Sequence, residues 1–196
     1  MSKGTRTRQH IIARAATVFN TQGFAGTSMA DLTRQTGIEK GGIYNHFPSK
    51  EALALAAFDY AVTLISQRMQ EVMAQEERAI DRLYAITNVF RSVIDAPLVP
   101  GGCPLMNTAI EADDTSSALR ERAQETMSSW LRLIGGTVKQ GIANGELRPD
   151  TDPRMVATIM VAALEGAIML SKLYDDSLYI HRAVEHLIEY LQSLAS

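Results

Sequence analysis

The chain has a single cysteine, Cys103, in 196 residues. No internal disulfide can form, and a reducing compartment is expected. Proline is scarce, with 6 in all, and alternating valine–threonine runs are missing, which favours helices over strands. The longest apolar run, residues 155–173, follows Arg154 and is interrupted by Glu165 and Lys172, so no membrane-spanning segment is expected. The first eight residues are basic but lead into an amphipathic stretch, without the apolar core or cleavage signal of a secretion peptide. A cytoplasmic protein follows as the expectation. Metal-ligand spacing is also lacking: none of His10, His46, His181 and His186 has a Cys or His partner three or four residues on. His181 with Glu185 and His186 with Glu189 read as surface pairs. There is no glycine-rich phosphate loop, nucleophile elbow or paired-carboxylate motif. An enzyme is therefore not expected, nor a metal, nor a cofactor.

Hydrophobic residues make up 46% and charged residues 21%, the balance of a folded globular chain. The net charge of −3 conceals an asymmetry. Residues 1–50 hold seven basic groups (Lys3, Arg6, Arg8, Arg14, Arg34, Lys40, Lys50) against Asp31 and Glu39, a balance of +5. Residues 51–196 hold 12 basic against 20 acidic groups, a balance of −8. A small basic module joined to a larger acidic body suggests that the N-terminus meets a polyanion. It also speaks against a purely helical protein-interaction module.

Helical periodicity and end signals predict about nine helices and an all-α fold. The first covers residues 6–22, with Ile12, Ala15, Ala16 and Phe19 on one face and Gly23 beyond its end. The second begins at Thr27 or Ser28, both good N-caps, and ends at Gly37. A short third covers 40–46, and Pro48 blocks its continuation. Ser49 caps a long fourth that reaches about residue 75, with Glu51 in its first turn. A fifth covers 78–95. Pro97, Pro100, Gly101, Gly102 and Pro104 then break the chain. Four more are predicted over 105–112, 117–143, 153–173 and 178–194. Two domains are expected, 1–50 and 51–196.

The informative stretch is Ser28 to Phe47, in which two short helices flank a tight turn at Gly37, a residue that adopts a left-handed backbone without steric cost. Leu32, Ile38, Ile43 and Phe47 are spaced to meet Phe19 and Phe24 in a miniature core. The other face of the third helix offers Lys40, Gly41, Gly42, Tyr44, Asn45 and His46. The glycine pair leaves no bulk between that helix and a groove floor, at a cost in helix stability of about 1 kcal/mol each. Lys40 can reach a phosphate or a guanine edge, and Asn45 can pair with adenine. Tyr44, divided between core and surface, can with His46 and Lys50 hydrogen-bond phosphates. Thr27, Ser28 and the amides that follow offer another phosphate site.

Residues 6–53 resemble the DNA-binding domain of the TetR family of transcriptional regulators. The similar pieces are Ala16 to Phe19, Gly23-Phe24, Thr27-Ser28-Met29, Ile38-Glu39-Lys40-Gly41 and, above all, the ordered block Ile43-Tyr44-Asn45-His46-Phe47-Pro48-Ser49-Lys50-Glu51-Ala52-Leu53. The resemblance covers about a quarter of the chain. It implies an N-terminal three-helix helix-turn-helix followed by a helical ligand-binding and dimerisation domain. It further implies a homodimer on a palindromic stretch of double-stranded DNA, released by a small-molecule effector. The Gly41-Gly42 pair departs from the many members that carry more base-reading side chains there.

The body carries weaker signals. The terminal helix repeats Ile180, Ala183, Val184, Leu187, Ile188, Leu191 and Leu194 at amphipathic spacing, and the helix before it is apolar on most faces. Such a helix must be buried on most faces, either in its own core or against a second copy. Val156, Ile159, Met160, Ala163, Ala167, Val184, Leu187, Ile188 and Leu191 are the candidate pairing residues, and the family resemblance implies a four-helix interface there. Tyr60, Leu64, Phe90, Met106, Asn107, Met127, Trp130, Ile134 and Met169 lie on helices where similar proteins hold inducers, although residues of these types are more often plain core. Glu111 and Glu165 are candidate charged anchors. A cavity of this composition suits an apolar or aromatic molecule. Cys103, near a predicted helix start, reads either as a small buried hydrophobe or as a reactive thiol. Some similar repressors respond to electrophiles or oxidants.

Overall fold

The computed structural model describes residues 2–112 and 116–196. Among them the order is α1 (Lys3–Gln22), α2 (Met29–Thr36), α3 (Lys40–Tyr44), α4 (Lys50–Met73), α5 (Ala79–Asp95), α6 (Pro104–Ala112), α7 (Ser117–Ala143), α8 (Pro153–Tyr174) and α9 (Leu178–Ser193). No strand occurs among these residues, and a single isolated antiparallel bridge joins Leu147 to Ala195. The all-α expectation and the order of helices hold.

The helices pack into two compact units. The first comprises residues 1–64 and 98–125, the second residues 65–97 and 126–196. The packing thus groups α6 with the N-terminal helices.

In the first unit, α1 begins three residues earlier than the amphipathic pattern, because the Ser2 hydroxyl accepts the Thr5 amide and caps it. Its far end closes on Gly23, at φ 77°, whose amide donates to the Phe19 carbonyl. α2 opens with a reciprocal capping box in which Ser28 Oγ accepts the Asp31 amide and the Asp31 carboxylate accepts the Ser28 amide. It closes on Gly37 at φ 68°, as the turn requires. α3 stops at Tyr44, two residues short of expectation. The His46 and Phe47 amides both turn back to the Ile43 carbonyl at 3.0 Å, which tightens the last turn before Pro48. Ile11, Ala15, Leu32, Ile43, Phe47 and Leu53 are buried together. Phe19 and Ile38 pack against this cluster, half-buried. His10 Nε2 bonds the Thr36 carbonyl at 2.9 Å, bracing α1 against the end of α2.

In the second unit, α5, α8 and α9 pack against one another. Phe90 and Trp130 meet edge to face, with centroids 5.6 Å apart, and the Trp130 indole donates to Ser66 Oγ at 3.0 Å. Met160, Leu164, Ile168, Leu187 and Leu191 are fully enclosed. Burying each such side chain contributes roughly 1.5–3 kcal/mol. α8 starts on an Asp152 cap followed by Pro153 and ends at Asp175, held in the left-handed region. By length and composition it is apolar enough to cross a membrane, and half of that apolar stretch is buried in the fold.

Candidate nucleic-acid interface

The α2–turn–α3 segment separates its residues by chemistry. Ile43 and Phe47 are buried, while Lys40, Gly41, Tyr44 and Asn45 are exposed. A five-residue helix cannot hold itself together in water. It stays folded here because one face is anchored in the unit's core, which leaves the other face free of structural duty. Three cations around it rest on aromatic rings. The Arg8 guanidinium lies 4.8 Å from the Phe47 centroid, Lys50 Nζ 4.5 Å from that of Phe24, and Lys40 Nζ 5.9 Å from that of Tyr44. Each ring orients a charge at the surface without neutralising it. The arrangement can present hydrogen-bond donors and positive charge to a polyanion.

The glycine pair divides. A Cβ on Gly41 would meet nothing within 4 Å, whereas a Cβ on Gly42 would lie 2.7 Å from Ile38 Cγ2. Gly42, half-buried, therefore serves the packing of α3 on the preceding turn, and Gly41 alone is bare toward solvent. Thr27 also departs from expectation. It is buried, and its hydroxyl donates to the Gly23 carbonyl at 2.6 Å, so its side chain is committed to the α1–α2 turn. Ser28 is exposed but engaged in the capping box. Hydrogen bonds from the Ser28 side chain and amide, aided by Arg34, hold the Asp31 carboxyl below its usual range. Part of the positive end of α2 is thus met by the chain's own carboxylate. His46 and Lys50 are half-buried.

Sequence reasoning missed the contact that fixes this turn. The Glu111 carboxylate of α6 accepts the Phe24 and Ala25 amides, each at 2.7 Å. One turn earlier on α6, the Asn107 amide donates to the Asn20 carbonyl, Asn20 Oδ1 and the Gly101 carbonyl at 2.9–3.1 Å. Asn20, buried, donates in turn to the Pro100 and Gly102 carbonyls at 2.8 and 3.0 Å. Two signals were available: Asn20 stands beside an apolar stripe, and Glu111 is the lone charge on α6. Between α1, α4, α6 and α7 lies a cavity of about 40 Å³. It has room for a few waters, far below the roughly 300–1,000 Å³ of a drug-sized ligand site.

The candidate effector residues fall in both units. In the first unit, Cys103 is buried, Leu64, Met106 and Asn107 are half-buried, and Tyr60 is exposed. Burial of the Cys103 thiol fits its reading as a packing residue. In the second unit, Phe90, Trp130, Ile134 and Glu165 are buried, Met127 is half-buried and Met169 is exposed. Of these, the structure joins Phe90 to Trp130.

The candidate pairing residues need a correction. Val156, Met160, Ala167, Val184, Leu187 and Leu191 are buried in the fold as core residues, which leaves them little surface for pairing. Ala163 and Ile188 are half-buried, and Ile159 is 47% exposed. The apolar face that α8 leaves open runs through Met155, Ile159, Ala162, Gly166, Met169 and Leu173. Its alternating steps of four and three residues trace one side of a helix. Apolar residues on both sides of α8 hid which side was which.

Comparison with known proteins agrees along most of the chain. Residues 11–57 match the family described as bacterial regulatory proteins, tetR family, and residues 79–187 match the tetracyclin repressor-like C-terminal domain. The crystal structure of a TetR transcriptional regulator from Chloroflexus aurantiacus J-10-fl superposes with a TM-score of 0.95 at 43% identity, covering 100% of this chain and 98% of that one. A TetR-family regulator from Cytophaga hutchinsonii gives 0.91 at 41% identity, with the same coverage. Among characterised relatives, the HTH-type transcriptional repressor DhaR of Mycobacterium sp. strain GP1 is 25% identical over 169 residues, 86% of this chain and 84% of that protein.

Proposed function

The chain belongs to the TetR family of bacterial regulatory proteins, a DNA-binding and non-enzymatic class of transcriptional regulators, and on that premise we propose a ligand-responsive repressor. In this reading a homodimer binds a palindromic operator in the cytoplasm, and a small apolar or aromatic effector releases it.

One observation carries the DNA contact: α3 buries Ile43 and keeps Lys40, Gly41, Tyr44 and Asn45 exposed. Lys40 and Asn45 read base edges, and bare Gly41 lets the helix backbone approach the groove. Tyr44, His46 and Lys50 meet phosphates, joined by the Ser28 end of α2. Thr27 contributes its backbone only. The open stripe of α8, centred on Ile159, Ala162, Gly166 and Met169, supports pairing with a second copy, because small residues at its middle let two helices approach closely. A two-fold pair would meet half-sites about 34–36 Å apart. The effector reading rests on the apolar character of the body helices and on the need for two states of differing ligand affinity.

The experiment is selection of bound duplexes from a random-sequence pool, followed by titration of the enriched duplex against salt. Affinity is expected to fall with a log–log slope near −0.9 per phosphate contacted. Failure to bind any duplex at low ionic strength would overturn the reading.

A further inference from the structure

We propose that Glu111 is a positioning residue for DNA binding: from α6, its carboxylate sets the turn between α1 and α2 that leads into the recognition segment. The inference rests on the DNA-binding reading above and adds to it how that segment is held in register.

Two consecutive backbone amides, those of Phe24 and Ala25, converge on one carboxylate at 2.7 Å each. Successive amides turned toward one anion form a nest, and hydrogen bonds to an ionised acceptor are about twice as strong as neutral ones. The fit is close, since a Cβ on Gly23 would lie 2.9 Å from both carboxylate oxygens. The turn leads within three residues to Ser28 and the cap of α2. Asn107, four residues before Glu111 and on the same face of α6, grips Asn20 on the last turn of α1. α6 therefore holds the end of α1 at one point and the turn after it at a second. Hydrogen bonds weaken steeply beyond their normal range. A shift of α6 by about 1 Å would release the Phe24 and Ala25 amides, and α2 and α3 would lose their fixed approach to the groove.

Electrostatics alone gives the opposite sign. Removing a carboxylate near a polyanion-binding surface should tighten binding to DNA. A loss of affinity on removing Glu111 therefore separates positioning from charge.

The test compares the unaltered protein with Glu111→Ala and the near-isosteric Glu111→Gln. Two duplexes are used: the one enriched from the random pool by the unaltered protein, and an unrelated one of equal length. Glu111→Ala is expected to weaken binding to the enriched duplex roughly tenfold, while binding to the unrelated duplex holds or tightens. Amide exchange at Phe24 and Ala25 should speed up by a similar factor. Glu111→Gln keeps one acceptor oxygen and should lose roughly threefold. A folded Glu111→Ala protein with unchanged selectivity, or with unchanged exchange at residues 24 and 25, overturns the proposal. Where Glu111→Ala does not fold, unchanged values in Glu111→Gln do the same. Should the unaltered protein enrich no duplex, the DNA-binding premise fails and takes this proposal with it. That outcome is distinct from enrichment without an effect of Glu111.

Discussion

α3 and α8 each carry one buried face and one open face, and they write the two in opposite ways. α3 has five residues and writes its two faces in different chemistry: Ile43 is buried, while Lys40, Tyr44 and Asn45 are exposed. α8 has 22 residues and writes both faces in the same chemistry, with Met160 and Leu164 enclosed and Met155 and Ile159 open. Residue type reveals which face is open only where that face differs in polarity from the core. Between two apolar faces, only packing decides.

A charge placed on each side of α8 should have opposite consequences. Met160→Asp puts an unpaired carboxylate into the core and should cost more than about 4 kcal/mol, enough to abolish cooperative unfolding in circular dichroism. Ile159→Asp, one residue away, should leave the fold intact and instead yield monomers in sedimentation velocity. An unfolded Ile159→Asp protein, or a folded Met160→Asp protein, would reverse the assignment of faces.

On α3 the effects are smaller and fall on DNA. Lys40→Ala should relax base preference by roughly 1–3 kcal/mol at one operator position. Lys50→Ala should weaken all duplexes alike and reduce the salt slope by about 0.9. Equal, sequence-independent losses from both would show that neither lysine reads a base.

Within α3 the two glycines should behave differently. Gly41→Ala meets open space and should stabilise the fold by about 0.5–1 kcal/mol in urea titrations while weakening operator binding. Gly42→Ala drives a methyl into Ile38 and should destabilise. Matching changes in the two variants would mean that the pair has no division of labour.

The smallest expected effect is acidic. The folded-state pKa of Asp31 lies below its ordinary value because the Ser28 side chain and amide bond its charged form. A depressed carboxyl contributes stability that is present above the unfolded-state value, near pH 4, and is lost as pH falls through the folded-state value. Asp31→Asn should flatten that part of the acid-side stability curve. A curve unchanged between pH 2 and 5 would remove the capping box from the account.

Much of the fold was legible because its signals are local. Ser28 stands at the N-cap of α2, Gly37 occupies the left-handed turn, and Gly23 lies just beyond the end of α1. Each acts through its own backbone neighbours, so a linear reading finds it. Departures also came between near neighbours, where residue type does not reveal which of several nearby groups a side chain or amide turns to. Thr27 reads as a free cap but turns to the Gly23 carbonyl, and Gly42 reads as groove clearance but makes room for Ile38. The boundary of α3 shifted because the amides of residues 46 and 47 both turned back to Ile43.

An all-helical chain with a basic, helix-turn-helix N-terminus is written into the order of residues, since periodicity, caps and charge are properties of near neighbours. Which side of α8 is core, and that Asn20, Asn107 and Glu111 belong together, emerges only on packing. A carboxylate finds amides 86 and 87 positions away only after the helices have met, and nothing in the intervening residues encodes that meeting.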